Sequence, residues 1–119
     1  MKSLHFAVTL LFVIAMSGCR ARVVKISLTN TSTQPIKTII VDYPSATFGK
    51  DALAPSETYF SLVKPVDKGP IKVRFTDAQG VSHTYESISL EQGDDGSVDI
   101  KLTQTSAETG YDLARLGKK

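Results

Sequence analysis

The chain has 119 residues, 41% of them hydrophobic, and a formal net charge of +2 from 14 basic and 12 acidic side chains. That length holds one domain of ordinary size, the composition is that of a packed globular body, and so small a charge excess gives no electrostatic case for nucleic acid. One cysteine makes no intramolecular disulfide, and with only His5 and His83 beside it a structural zinc site lacks ligands. The absence of tryptophan removes one common sugar- and choline-binding side chain.

Met1-Lys2-Ser3 gives a short positive start, and Phe6 to Met16 follows as an apolar run with one threonine. This is the pattern of a bacterial secretory signal. A transmembrane helix needs ~20 apolar residues, and this run stops well short of that at Ser17-Gly18-Cys19-Arg20. Met16-Ser17-Gly18-Cys19 resembles the lipobox of bacterial lipoproteins: an aliphatic residue, two small residues, then cysteine, here with methionine where leucine is usual. The resemblance implies cleavage between Gly18 and Cys19, a diacylglyceryl group on the Cys19 thiol, and acylation of the freed amine. Residues 1–18 are then a signal peptide and 19–21 a lipidated N-terminus with a short tether. A lipid carrying two acyl chains meets the requirement for more than one anchor, since a single chain holds only marginally. Ordinary cleavage after Ala15-Met16-Ser17, or a cysteine that merely packs, are the alternatives the residues leave open. Arg20, not aspartate, follows Cys19; by resemblance to the sorting rule of enteric-type bacteria this implies the outer membrane, facing the periplasm.

Arg20-Ala21-Arg22 leads at once into strand-like sequence, and three extended residues span at most ~10 Å. The domain is therefore expected close to the bilayer, with Arg20, Arg22 and Lys25 near anionic headgroups; the plainer alternative is that these cations are simply solvated.

From residue 22 to 103 strand periodicity dominates. Val24, Ile26 and Leu28 alternate with Lys25, Ser27 and Thr29, the period of two of a half-buried strand. The segment 30–35, NTSTQP, supplies turn chemistry, and IKTIIVDY follows. Its Ile39-Ile40-Val41 run is apolar on both faces and predicts a strand inside a sheet. Pro44 ends that strand, and Gly49 with ALAPSET (52–58) marks a loop before TYFSLVK. In PIKVRFTD, Ile71, Val73 and Phe75 are expected inward. Asp77-Ala78-Gln79-Gly80 reads as a hairpin connector, a type I turn with glycine in the left-handed position. VSHTYESISL returns from it, QGDDG (92–96) makes the last turn, and SVDIKLT closes with Val98, Ile100 and Leu102 inward.

Six or seven short strands with such turn spacing predict a small all-β, antiparallel two-layer sandwich. For 104–119 the expectation is a flexible tail or a short helix over 107–116, frayed by Gly110 and by Gly117-Lys118-Lys119. The stretches ISLTNTSTQPIKTIIV, LAPSETYFSL and IKVRFTDAQG resemble immunoglobulin-like or fibronectin-like modules of small bacterial envelope lipoproteins. In those modules N-T-S and L-A-P-G-E-like turns recur between strands, and here Ser56 replaces the glycine. The resemblance implies an immunoglobulin-like sandwich and a cell-envelope address, and no activity.

Catalytic chemistry finds little support. A nucleophile needs an adjacent base, and His83, on the strand face of Val81 and Tyr85, reads as a strand histidine. There is no G-x-S-x-G elbow. Asp94-Asp95 lie in a glycine-flanked turn without the alternating acids and closing glutamate of a calcium loop, and read as turn formers, as do Asp51 and Asp77. No catalytic residue, metal ligand or cofactor is expected. Tyr43, Phe48, Tyr59 and Tyr85 are either a surface aromatic patch or fillers of the sheet faces. The expected function is that of a membrane-anchored, non-enzymatic interaction or accessory module of the envelope, with a protein partner. The alternative is a periplasmic ligand-binding or hydrolase-inhibitor protein, which a protruding loop around 45–55 would favour.

Overall fold

The computed structural model describes residues 22–114. They form eight strands: β1 (Val24–Asn30), β2 (Ile36–Tyr43), β3 (Ala46–Leu53), β4 (Thr58–Val63), β5 (Gly69–Thr76), β6 (Ser82–Leu90), β7 (Asp95–Leu102) and β8 (Ala107–Ala114). The strands divide into two four-stranded sheets, ordered β4-β1-β7-β8 and β3-β2-β5-β6. The all-β class expected from the alternation is what folds. The two sheets share one apolar core.

Val24, Ile26 and Leu28 of β1, Ile71, Val73 and Phe75 of β5, and Val98, Ile100 and Leu102 of β7 are all buried, so each expected inward set faces the core. Ile36, Ile39 and Val41 of β2 join them. β2 lies between β3 and β5, in keeping with its two-sided apolar run. Burial of each such side chain stabilises the fold by about 1.5–3 kcal/mol. The Asp77–Gly80 connector forms as read: the Gly80 amide donates to the Asp77 carbonyl at 3.1 Å, and Gly80 has φ of 86°.

Three expectations are corrected. First, the described residues form eight strands, not six or seven. The loop that Gly49 and 52–58 mark in the sequence shrinks to a turn after Leu53, because Ala46–Leu53 is β3, paired antiparallel with β2 from Ile36↔Leu53 to Tyr43↔Ala46. Gly49 sits inside this strand because the Ile39 carbonyl oxygen would lie 2.8 Å from a Cβ there; it marks a close backbone approach and not a turn. Second, the tail expected to fray or to be weakly helical is, over Ala107–Ala114, the edge strand β8, paired with β7 from Leu102↔Ala107 to Asp95↔Ala114. The turn between them closes through Thr103, whose amide donates to the Ser106 carbonyl at 2.9 Å and whose Oγ1 accepts the Ser106 amide at 3.0 Å. Pairing with β7 overrides the weak β-propensity of alanine, glycine and the acids in this segment. Third, the sheets are not wholly antiparallel. β1 pairs in parallel with β7, Val24↔Gly96 through Asn30↔Leu102, while it pairs antiparallel with β4.

The loops gather at two poles. Near Arg22 lie the β2–β3 turn, the β4–β5 loop (64–68), the β6–β7 turn and the end of β8. At the other pole lie the β1–β2, β3–β4, β5–β6 and β7–β8 connections.

Candidate interaction surfaces

At the far pole the polar side chains tie the loops to one another. Asn30 is fully buried at the end of β1, and its Nδ2 donates to the carbonyls of Gln34 at 2.8 Å and Leu53 at 3.0 Å. Its Oδ1 accepts the Ser32 amide at 2.9 Å and hydroxyl at 2.6 Å. Gln104 continues the network: Nε2 donates to Ser32 Oγ at 2.8 Å, and Oε1 accepts the Ala78 amide at 2.8 Å. All four connections of this pole are thereby linked through hydrogen-bonded groups, which makes a buried polar network a source of order.

His83 and Asp77 belong to the same pole. His83 Nε2 lies 2.8 Å from Asp77 Oδ2, and its ring stacks on Phe75 with centroids 5.3 Å apart. The Asp77 carboxylate also accepts the Val81 and Gln79 amides on Oδ1, each at 2.9 Å. These bonds, the one to His83 first, hold Asp77 below the ordinary aspartate value of 3.8 against the opposing effect of burial. The pair thus closes the β5–β6 hairpin, as the reading of Asp77 as a loop former anticipates.

Asp94 is buried in the β6–β7 turn, where its Oδ2 accepts the Glu91 amide at 3.0 Å. Asp95 Oδ1 accepts the Val23 amide at 3.4 Å. Both acids face backbone donors. Among the described residues no three His, Cys, Asp or Glu side chains converge as metal ligands.

The four aromatic residues considered from sequence separate into two places. Tyr43, Phe48 and Tyr59 form a chain of tilted rings, 6.2 and 6.3 Å between successive centroids, where β3 approaches β4. Lys50 Nζ stands 5.2 Å from the Tyr59 centroid. Tyr85 lies at the opposite side, its hydroxyl 3.0 Å from Thr109 Oγ1 of β8. That hydroxyl and Ser87 Oγ, at 2.5 Å from Thr109 Oγ1, bridge the two sheets between β6 and β8.

Gly18, Cys19 and Arg20 lie outside the described residues. Arg22 is fastened to the fold: Nε donates to the Gly93 carbonyl at 2.8 Å, and Nη2 reaches the Ala114 carbonyl at 3.5 Å. Lys25 is exposed, with Nζ 4.4 Å from the centre of the Phe60 ring.

Sequence reasoning passed over the exposed apolar side chains Phe60, Leu62 and Val66, which are 51%, 61% and 52% exposed. The signal was present in TYFSLVK, where both alternating sets, Tyr59/Val63 and Phe60/Leu62, are apolar, so one of them has to face outward. Val66 lines a cavity of about 270 Å³ with Arg22, Lys64, Pro65, Gln92 and Gly93. A second hollow of about 350 Å³ lies on the outer face of β7 and β8, over Gly110 and between Asp99, Lys101 and Glu108.

No family model matches the chain, and no curated protein matches it. Among solved structures it is similar to a protein from Eubacterium rectale determined by NMR, at 18% identity and a TM-score of 0.56. That likeness covers 80% of this chain and 93% of the other. It bears on the fold alone.

Proposed function

We propose that this chain is a lipid-anchored module of the bacterial cell envelope, held through Cys19 in the outer membrane on its periplasmic side, which binds another envelope protein and performs no chemistry of its own. The observation that carries the reading is β8. It is eight residues long, ends its sheet, contains no proline and presents exposed Glu108, Gly110, Tyr111 and Asp112. An edge strand of that length offers a row of backbone donors and acceptors on which a partner strand adds. The hollow over Gly110 next to it gives such a partner room for side chains.

In architecture the module is immunoglobulin-like in the broad sense, two packed sheets with loops at both ends, but with its own strand order. β1 and β2 lie in different sheets, where the first two strands of an immunoglobulin constant domain share one. Where an inhibitor or ligand-binding role would call for a protruding loop at 45–55, Ala46–Leu53 is paired strand, so the interaction reading is preferred.

Two measurements test the proposal. Metabolic labelling with a fatty-acid analogue should mark the wild-type chain and leave Cys19→Ala unmarked and released from membranes; equal labelling of both would remove the anchor. A photo-crosslinker at Glu108, in native membranes, should capture one envelope protein reproducibly, while the same group at Thr47 on β3 does not. Equal capture at both positions, or none at Glu108, would reject the β8 edge.

A further inference from the structure

Of the five large apolar side chains exposed among the described residues, Val81 lies at the far pole and Tyr111 on β8, and the other three cluster. Phe60, Leu62 and Val66 fall within seven residues of chain, along β4 and into the β4–β5 loop, on the edge of the sheet opposite β8. Four cations accompany them. Lys25 pairs directly across from Leu62 and extends over Phe60; Lys64 and Arg22 line the same cavity as Val66; and Lys68 closes the loop. Asp67 is the one exposed acid within that loop, so the loop itself keeps a positive balance. Apolar tips ringed by lysine and arginine are the composition of a surface that settles at a lipid headgroup boundary.

The chain path says which lipid surface is within reach. Arg22 is bonded to Gly93 at this pole, and it stands only three residues after Cys19. Extended, they span at most ~10 Å. Resting on the reading that Cys19 is acylated, we propose that this face docks on the anchoring membrane. Leu62 and Val66 enter the boundary between headgroups and acyl chains, and Arg22, Lys25, Lys64 and Lys68 lie over anionic headgroups. The domain then leans on its β4 edge. β8 lies three strand spacings away, roughly 14 Å, and is turned from the bilayer toward a partner.

The test uses the full chain with its acylated N-terminus, in which Cys19 is blocked and an introduced cysteine is the only free thiol. An environment-sensitive fluorophore is placed on Val66→Cys or, at the opposite pole, on Val81→Cys. The protein is held in vesicles of phosphatidylethanolamine and phosphatidylglycerol. Docking predicts blue-shifted emission at position 66 and quenching by acyl-chain-brominated lipid, with neither at position 81. Lys64→Glu/Lys68→Glu should abolish the quenching at 66 while the protein stays in the membrane fraction. Solvent-like emission at both positions, in protein whose mass shows an acylated Cys19, overturns the docking face and leaves the anchor intact. Quenching that survives the double charge reversal overturns the headgroup contact. A Cys19 that carries no lipid overturns both the docking and the anchor on which it rests.

Discussion

Gly96, the second residue of β7, lies so close to Asp112 of β8 that a Cβ there would stand 2.1 Å from the Asp112 carbonyl oxygen. The same residue has φ of 135° and donates its amide to the Val23 carbonyl at 3.1 Å, where β1 begins. Gly96 is therefore the point at which three strands of one sheet come together. Gly96→Ala should destabilise the domain by roughly 3 kcal/mol, from left-side backbone strain and the displaced β8 together. Urea denaturation checks this; a loss under about 1 kcal/mol would mean that β8 yields freely.

Ser56 is expected to respond in the opposite sense. It stands third in the Ala54–Glu57 turn, after Pro55, with φ of 69°, and the Glu57 amide donates to the Ala54 carbonyl at 3.0 Å. This is the place in a type II turn that glycine takes without steric cost. Ser56→Gly keeps the backbone bond from residue 56 to the Asn30 carbonyl and should stabilise by about 0.5–1 kcal/mol. In a domain of this size that raises Tm by about 2–8 °C, and a lower Tm would refute the account of the turn.

Asn30 holds the far pole. Replacing it with alanine leaves the Ser32 amide and the Gln34 and Leu53 carbonyls without their side-chain partner, in a site with no exposure at Asn30 itself. Asn30→Ala should cost about 2–4 kcal/mol. Amide exchange should quicken in the β1–β2 and β3–β4 loops together. Faster exchange in the β1–β2 loop alone would show that Asn30 does not couple the two.

Asp77 gives the fold an acid limb. Its folded-state pKa is depressed, chiefly by the bond to His83, so its contribution is fully present above the unfolded value near 3.8. That contribution falls away as pH drops through the lower folded value. Asp77→Asn should lower stability at neutral pH and flatten its decline below about pH 4. Denaturation midpoints followed down to acid pH decide it: parallel curves for wild type and variant would assign the acid limb to other carboxylates.

Much of the fold was legible because its signals are local. The inward sets of β1, β5 and β7 follow from alternation alone, and the β5–β6 turn follows from Asp77 and Gly80. β3 and β8 were hidden for different reasons. Gly49 looks like a turn until the Ile39 carbonyl is found beside it. β8 carries an alternating set, Ala107, Thr109, Tyr111 and Leu113, but with small and polar members that bury little on their own. Of the candidate surfaces, the cations Arg22 and Lys25 were legible from their closeness to Cys19. For Leu62 the pattern of TYFSLVK shows only that one apolar set must face outward; which set it is, and that Val66 is exposed, are settled by what packs against them.

By itself the sequence determined the all-β class, the inward residues of the central strands, the chemistry of the turns and the distance from Cys19 to the first strand. All of these depend on residues near one another in the chain. Tertiary structure alone decided the parallel pairing of β1 with β7, which strands share which sheet, the placing of β4 and β8 at opposite edges and the gathering of Lys64, Val66 and Arg22 at one pole. Those relationships join residues far apart along the chain, and no local pattern encodes them; they arise when two amphipathic sheets bury their apolar faces against each other.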